Sequence, residues 1–222
     1  MKAMILAAGQ GMRMRPLTER IPKALIEVNG TCLIENHLMR IRDAGITDVV
    51  INLGHLGTMI KDKLKDGSNY GVRIVYSDEG TNILETAGGI INALPLLGDD
   101  LFFVINADVY TDYEIHPATL QAPIQAHLVM VDNPPHNLDG DFSIADNLLV
   151  DDATTQFTFS GMGYYTAALL EGLKPQRLPL LKVLQRAIAR NLISGEHYQG
   201  KWVDIGTMER LNSVLADTAT IT

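Results

Sequence analysis

The sequence predicts an α/β protein built on a doubly wound, mostly parallel sheet. Three observations carry that prediction. Short apolar or β-branched runs alternate with segments of helical spacing through the first half of the chain. One run, residues 101–105, reads Leu-Phe-Phe-Val-Ile and is apolar throughout, as expected of a strand covered on both faces. Gly9, Gly11, Asn106 and Asp108 lie just past such runs, where ligands sit in open α/β sheets.

The elements follow in order. Residues 2–6 form the first strand. Residues 33–44 have helical spacing and stop at Gly45, a suitable C-terminal cap. Residues 48–52 are a β-branched strand, residues 56–64 a helix that stops near Gly67, and residues 72–76 a strand. Residues 86–94 read as a helix opened by Thr86 and ended at Pro95, and residues 101–105 as the buried strand. The second half differs. Residues 127–131 are a strand. Residues 134–152 are rich in Pro, Asn, Asp and Gly and read as hairpins and loops, with short alternating pieces around Phe142 and at 148–150. Residues 157–165 contain a strand and 201–203 a short one. Residues 178–191 and 207–215 read as amphipathic helices.

The chain of 222 residues suits a single domain, residues 1–222, with a core that needs no covalent staples. Its net charge of −8 argues against a nucleic-acid or anionic-membrane surface, though not against an anionic small substrate held by a local cluster of cations. Cys32 is the only cysteine, so an intrachain disulfide is excluded, and it reads as a small buried residue. The first residues run directly into a strand, and no run of about eighteen apolar residues occurs. A cytoplasmic location is therefore expected. Oligomeric state is not set by these features.

The most specific segment is residues 5–25. The first strand runs into Ala7, Ala8, Gly9, Gln10 and Gly11, followed by Arg13, Arg15, Pro16 and then Pro22-Lys23. Glycines let the backbone turn tightly and present its N–H groups to a ligand. Arginines bring forked donors for phosphate oxygens, and a lysine adds a point charge. The segment reads as a loop that holds a nucleoside triphosphate. It is neither of the commonest phosphate loops, because position 14 is Met14 where a dinucleotide loop needs glycine, and no Gly-Lys-Ser/Thr occurs.

Leu6-Ala7-Ala8-Gly9, Gly11, Arg13 and Pro16, followed by Pro22-Lys23, resemble the signature of nucleoside-triphosphate transferases that act on sugar 1-phosphates. The resemblance continues at Leu84-Glu85-Thr86-Ala87-Gly88-Gly89, at Asn106-Ala107-Asp108 and at Trp202-Val203-Asp204-Ile205-Gly206-Thr207, in the family's order. It implies a Rossmann-like nucleotidyltransferase domain with a small hairpin-containing part that binds the sugar. It further implies Arg13 and Lys23 as catalytic cations, and Mg²⁺ held by Asp108 and Asp204. Leu6, Ala7, Ala8, Gly9, Gly11, Arg15, Glu85 and Gly88 would contact the nucleotide.

The chemistry is consistent with that assignment. Nucleotidyl transfer needs a divalent ion against the triphosphate charge, and Mg²⁺ prefers one or two carboxylates with phosphates and waters. Read from the residues alone, Asp108 is equally a turn residue and Asp204 equally a helix N-cap. Arg15 is a triphosphate contact or a solvated charge. Asn106, Asn133, Asp141, Ser160 and Gly161 are candidate partners for the sugar. Which base is read does not follow from these residues; the resemblance implies UTP and a sugar 1-phosphate as substrates. Ala87 stands where the pattern favours glycine. The Glu-Lys-Pro motif of glucose-specific members is absent, which disfavours glucose 1-phosphate. Transfer of another nucleotide, guanylyl or cytidylyl, and a silent nucleotide-sugar sensor remain the alternatives.

Overall fold

A computed structural model describes residues 1–80, 84–152 and 156–219, with side chains as far as Ala216. The chain opens with β1 (Lys2–Leu6), then three single turns at Met12–Met14, Leu17–Glu19 and Lys23–Leu25, and the hairpin of β2 (Glu27–Val28) and β3 (Thr31–Cys32). Next come α1 (Leu33–Asp43), β4 (Asp48–Leu53), α2 (Gly57–Leu64), β5 (Arg73–Asp78), α3 (Glu85–Leu97) and β6 (Phe102–Asn106). The second half holds β7 (Val109–Thr111), β8 (Ala126–Val131), β9 (Phe142–Ala145), β10 (Leu148–Val150) and β11 (Gln156–Tyr165). It ends with α4 (Leu180–Ile188), β12 (Ile193–Tyr198), β13 (Trp202–Asp204) and α5 (Met208–Ala219).

Among the described residues, nine strands form one mixed sheet in the order β5-β4-β1-β6-β11-β8-β12-β10-β9. β5, β4, β1 and β6 run parallel, the doubly wound part expected from the alternating pattern. β11 runs antiparallel to β6 and to β8, and β12 runs parallel to β8. β9 pairs with both β10 and the start of β11, so β11, β8, β12, β10 and β9 close into a ring at that end of the sheet. Ring closure covers what would otherwise be exposed strand edges.

Side chains alternate along β1, and the two faces feed two cores. Ala3 and Ile5 pack with Leu38 and Ile41 of α1 and Ile60 and Leu64 of α2. Met4 packs with Ile90 and Ile91 of α3 and Val183 and Leu184 of α4. A third cluster joins Met14, Ile26, Val28 and Leu33 to Ile205, Leu211 and Val214 of the last helix region. This cluster clamps the segment bearing Arg13 against α5.

The structure corrects several boundaries. The helix expected to stop at Pro95 runs three residues further, to Leu97, with Pro95 inside it. Proline forfeits one backbone bond. Leu97 is almost wholly buried in the core and Gly98 donates to the Leu94 carbonyl (2.9 Å), which together hold the last turn. The helix expected over residues 178–191 is shorter, because Pro179 is its extended cap and Asn191 turns left-handed. β12, with Gly195, Glu196 and His197, was not expected, nor was β7; short half-buried pieces of mixed polarity carry little period-2 signal. Cys32 is buried as expected, and burial pushes its thiol up to about 12, so it is inert.

Candidate active site

The carboxyl ends of β1, β4, β5 and β6 open onto a cleft of about 550 Å³. Leu6, Ala7, Ala8, Gly9, Gln10 and Gly11 line it from β1, Asn52, Gly54 and His55 from β4, and Glu79 and Gly80 from β5. Glu85 and Thr86 at the start of α3, Asn106, Ala107 and Asp108 after β6, and Lys23 and Ala24 complete the wall. Gly11 is left-handed (φ 62°) and carries the chain into the turn that bears Arg13; a Cβ there would lie 2.7 Å from the Thr18 methyl, whose hydroxyl donates to the Gly11 carbonyl (2.8 Å). At Gly9 a Cβ would meet nothing within 4 Å, so this backbone faces open space in the cleft.

Two interactions brace the walls. The Lys23 ammonium donates to Asp108 Oδ2, joining the Pro22-Lys23 turn to the end of β6. Deeper in, Asn52 Oδ1 accepts from the Ala7 N–H (2.7 Å) and Asn52 Nδ2 donates to Glu79 Oε1 (2.6 Å). Burial pushes the Glu79 carboxyl up, while the bonds from Asn52 and the Leu84 N–H pull it down. Gly89 of α3 makes room for this pair: a Cβ there would sit 2.6 Å from Glu79 Oε1 and 2.9 Å from Asn52 Nδ2.

Asp204 comes from β13, where it stands opposite Val109 of β7, and the Ile205 N–H donates to the Asp108 carbonyl (2.8 Å). The pairing brings the two carboxylates together from positions 96 residues apart in sequence. Burial raises the Asp204 carboxyl and the charge of Asp108 adds to the rise; Arg210 and His136 oppose it. Arg210 Nη1 lies 2.9 Å and His136 Nε2 3.2 Å from Asp204 Oδ1. Arg13 reaches the same place: a Cβ on Gly206 would lie 3.1 Å from Arg13 Nη2 and 2.1 Å from Arg210 Nη2.

Of the residues singled out from sequence, Leu6, Ala7, Ala8, Gly9, Gly11, Lys23, Glu85, Asn106 and Asp108 share this cleft, and Asp204 and Arg13 adjoin it through the contacts just described. Others lie elsewhere. Gly88 packs inside, where a Cβ would meet the Gln176 carbonyl at 2.1 Å, and its N–H donates to Leu178. Ala87 is wholly buried in the core beside it. Arg15 is exposed, 3.9 Å from Glu19. Asn133 ties its own loop, donating to the Leu138 and Gln156 carbonyls and accepting from Thr158. Asp141 accepts from the Phe159 N–H (2.8 Å). Ser160 is buried, donating to the Val129 carbonyl (2.6 Å). These three polar side chains hold the hairpin region together and do not line the cleft. Gly161 (φ 79°) sits where β11 slips register against β8, and a Cβ there would lie 2.4 Å from Asn106 Nδ2, so it lets Asn106 stand at the cleft rim.

Sequence reasoning missed Asn52, Glu79, Arg210 and His136. The first two sit at or just past the ends of β4 and β5, so the rule that drew attention to Asp108 would have found them. The latter two are placed by tertiary packing and carry no local signal.

The donor set suits a hard divalent cation. Asp108 and Asp204 would offer two oxygen ligands on paired strand ends, and burial first, then the neighbouring Asp108 charge, raises the Asp204 carboxyl, which such an ion would relieve. Among the described residues no group of three or more His, Cys, Asp or Glu is arranged to hold a metal, so phosphates and waters would complete the shell. No described helix is long and apolar enough to cross a membrane.

A cleft at the strand ends, two paired carboxylates and converging Lys23, Arg13 and Arg210 define a site for phosphate chemistry on a nucleotide. Comparison with known proteins agrees. The family model described as nucleotidyl transferase matches residues 2–142. The chain is 47% identical to the N-acetylmuramate alpha-1-phosphate uridylyltransferase of Neisseria meningitidis serogroup B, over 97% of both chains. It is 46% identical to the enzyme of that name from Caulobacter vibrioides, over 48% of this chain and 45% of that one. In solved structures the fold recurs in the CTP:phosphocholine cytidylyltransferase of Streptococcus pneumoniae (TM-score 0.76, 24% identity, 98% of both chains). It recurs again in a UDP-glucose pyrophosphorylase complexed with UDP-glucose (TM-score 0.78, 19% identity, 100% of this chain and 99% of that one). The chain belongs to the nucleotidyl transferase family, among its sugar-1-phosphate members.

Proposed function

We propose that this protein transfers UMP from UTP to N-acetylmuramate 1-phosphate, giving UDP-N-acetylmuramate and pyrophosphate. The observation that carries the reading is the 47% identity over 97% of both chains to a relative of that name, joined to the convergence of Lys23, Asp108, Asp204 and Arg13. The nucleoside lies in the cleft between the 6–11 loop, Glu79 and Glu85. Small side chains there let the base approach backbone.

An oxygen of the sugar 1-phosphate attacks the α-phosphorus of UTP. The new P–O bond forms as the bond to the β-phosphate breaks, and pyrophosphate leaves. The attacking oxygen is already ionised, so no side-chain nucleophile or base is needed. Asp108 and Asp204 would hold Mg²⁺, which supplies charge neutralisation on the triphosphate as pyrophosphate departs. Lys23 stabilises negative charge developing around the α-phosphorus. It stands against Asp108, beside the position the ion would take. Arg13, with its fork, binds the leaving diphosphate.

N-acetylmuramate carries a lactyl carboxylate that glucose and N-acetylglucosamine lack, so its pocket needs donors or at least freedom from repelling carboxylates. The experiment is pyrophosphate release across a panel of nucleotides and sugar 1-phosphates. UTP with N-acetylmuramate 1-phosphate is expected to have the highest kcat/KM, at least about tenfold over glucose 1-phosphate, or roughly 1.4 kcal/mol. A better pair of GTP and mannose 1-phosphate, or equal use of glucose 1-phosphate, would overturn the substrate assignment.

A further inference from the structure

We propose that Arg210, beside His136, binds the phosphate of the acceptor substrate, a phosphate monoester; the proposal rests on the nucleotidyl-transfer reading above. Arg210 is presented by the first turn of α5, and its side chain is only 15% exposed. Its Nη1 is engaged by Asp204, but its Nε is buried and has no hydrogen-bond partner. A buried guanidinium N–H left without an acceptor is costly, and forked donors of this kind match phosphate oxygens.

The surroundings supply the rest of an anion site. Gly206 has no side chain where the Arg210 and Arg13 forks meet, and packing of Met14 against Ile205 and Leu211 fixes both strands of this meeting point. His136 sits against the same Asp204 oxygen. Arg210 Nη1 also donates to His136 Nε2, so Arg210, His136 and the Asp204 carboxylate form one hydrogen-bonded cluster. Asp204 would hold the divalent cation and so be shared with it, and among the described residues Arg210 has no other anionic partner. A phosphate monoester at this point supplies one and satisfies Nε as well.

Location separates this phosphate from the triphosphate. None of Arg210, His136 and Asp204 lines the nucleotide cleft. They come from α5, from the loop after β8 and from β13, all elements of the second half, and they adjoin Asp108 through the β7–β13 pairing. An anion held here lies beside Asp204 and outside the residues that line the nucleoside cleft.

Calorimetry on the full chain tests this, with N-acetylmuramate 1-phosphate and N-acetylglucosamine 1-phosphate titrated separately in the presence of Mg²⁺ and a non-hydrolysable UTP analogue. Arg210→Gln is expected to weaken sugar-phosphate binding by about thirtyfold or more while the UTP analogue, titrated alone, binds within about threefold of wild type. In turnover, KM for the sugar phosphate rises and KM for UTP does not. Arg210→Lys keeps a charge to hold Asp204 and is expected to fold normally, yet to recover only part of the affinity, because an ammonium cannot replace the fork. His136→Gln weakens binding in the same direction. Equal loss of UTP and sugar-phosphate affinity in Arg210→Gln, or full recovery in Arg210→Lys, would assign Arg210 a purely structural hold on Asp204 and overturn the proposal. Unchanged sugar-phosphate affinity in Arg210→Gln overturns it too. A wild-type protein that binds neither UTP nor any sugar phosphate would instead sink the nucleotidyl-transfer reading.

Discussion

The Lys23 ammonium donates to the Asp108 carboxylate across 85 positions of sequence. The pair links a turn in the phosphate loop to the end of the central strand β6, and each partner is mostly buried. In the proposed mechanism Asp108 would hold the metal and Lys23 would stabilise the reacting phosphate, so the pair joins two groups with separate roles.

Removing the carboxylate charge should therefore stop turnover and spare the fold. Asp108→Asn is expected to lose activity by a factor on the order of a hundred or more. Asp108 faces the cleft and its asparagine replacement still accepts from Lys23, so the thermal midpoint should move little. Steady-state turnover with melting by circular dichroism checks both halves; an active variant, or one that merely unfolds, contradicts the role.

The proposed role of Lys23 is on the reacting phosphate and not on the choice of sugar. Lys23→Met should lower kcat by roughly a hundredfold with every accepted nucleotide, since it removes charge stabilisation common to all of them. Ratios of kcat/KM between sugar phosphates should stay constant, and a changed ratio would show that Lys23 reads the sugar.

Gly89 keeps space for the Glu79–Asn52 pair, which in turn holds the Ala7 backbone. Alanine in a helix interior is ordinarily more stabilising than glycine by about 1 kcal/mol. Here its Cβ would collide with Glu79 Oε1, so Gly89→Ala should instead lower the melting temperature and raise the dissociation constant for UTP by about tenfold. Enhanced stability with normal UTP binding would show that the pair does not shape the nucleoside wall.

A pH dependence follows from Glu35 in the first turn of α1. Burial opposes ionisation of its carboxyl, but bonds from the Tyr70 hydroxyl, the Cys32 N–H and Lys63 outweigh burial and bring it down to about 2, from an ordinary 4.5. The unfolded chain therefore binds this proton first as pH falls. The stability that Glu35 contributes is complete above about 4.5 and is lost progressively toward pH 2, an amount on the order of 2 kcal/mol. Denaturant midpoints measured from pH 5 to 2.5 should fall less steeply in Glu35→Gln than in wild type; parallel slopes would refute the assignment.

Residues 5–25 and the strand ends near 106–108 were legible because their chemistry is local. Glycine in a left-handed turn, a run of buried apolar residues and a carboxylate placed just after it are requirements of backbone geometry and strand burial, and both are written within a few positions. The doubly wound half was legible for the same reason. The hairpin pieces around Phe142 and at 148–150 were legible as well, but not the ring they help to close, since the pairing of β9 with β11 is a contact between separate short strands. Asn133, Asp141 and Ser160 read as candidate sugar ligands because they are polar; the fold also shows each of them bonded to backbone groups of the hairpin region, a role no local pattern announces.

The sequence by itself predicted the parallel sheet, which the structure shows, and suggested a phosphate loop; Asp108 and Asp204 were singled out by resemblance to the family, since read alone the first is equally a turn residue and the second equally a helix N-cap. Tertiary structure alone decided that Asp204 stands beside Asp108, that Asn52 and Glu79 brace the nucleoside wall, and that Arg13 meets Arg210 over Gly206. The physical reason is that these relationships depend on how β13 pairs with β7 and how α5 packs on Met14. Those contacts join segments roughly one hundred positions apart in the first case and nearly two hundred in the second, and no periodicity within either segment encodes the other.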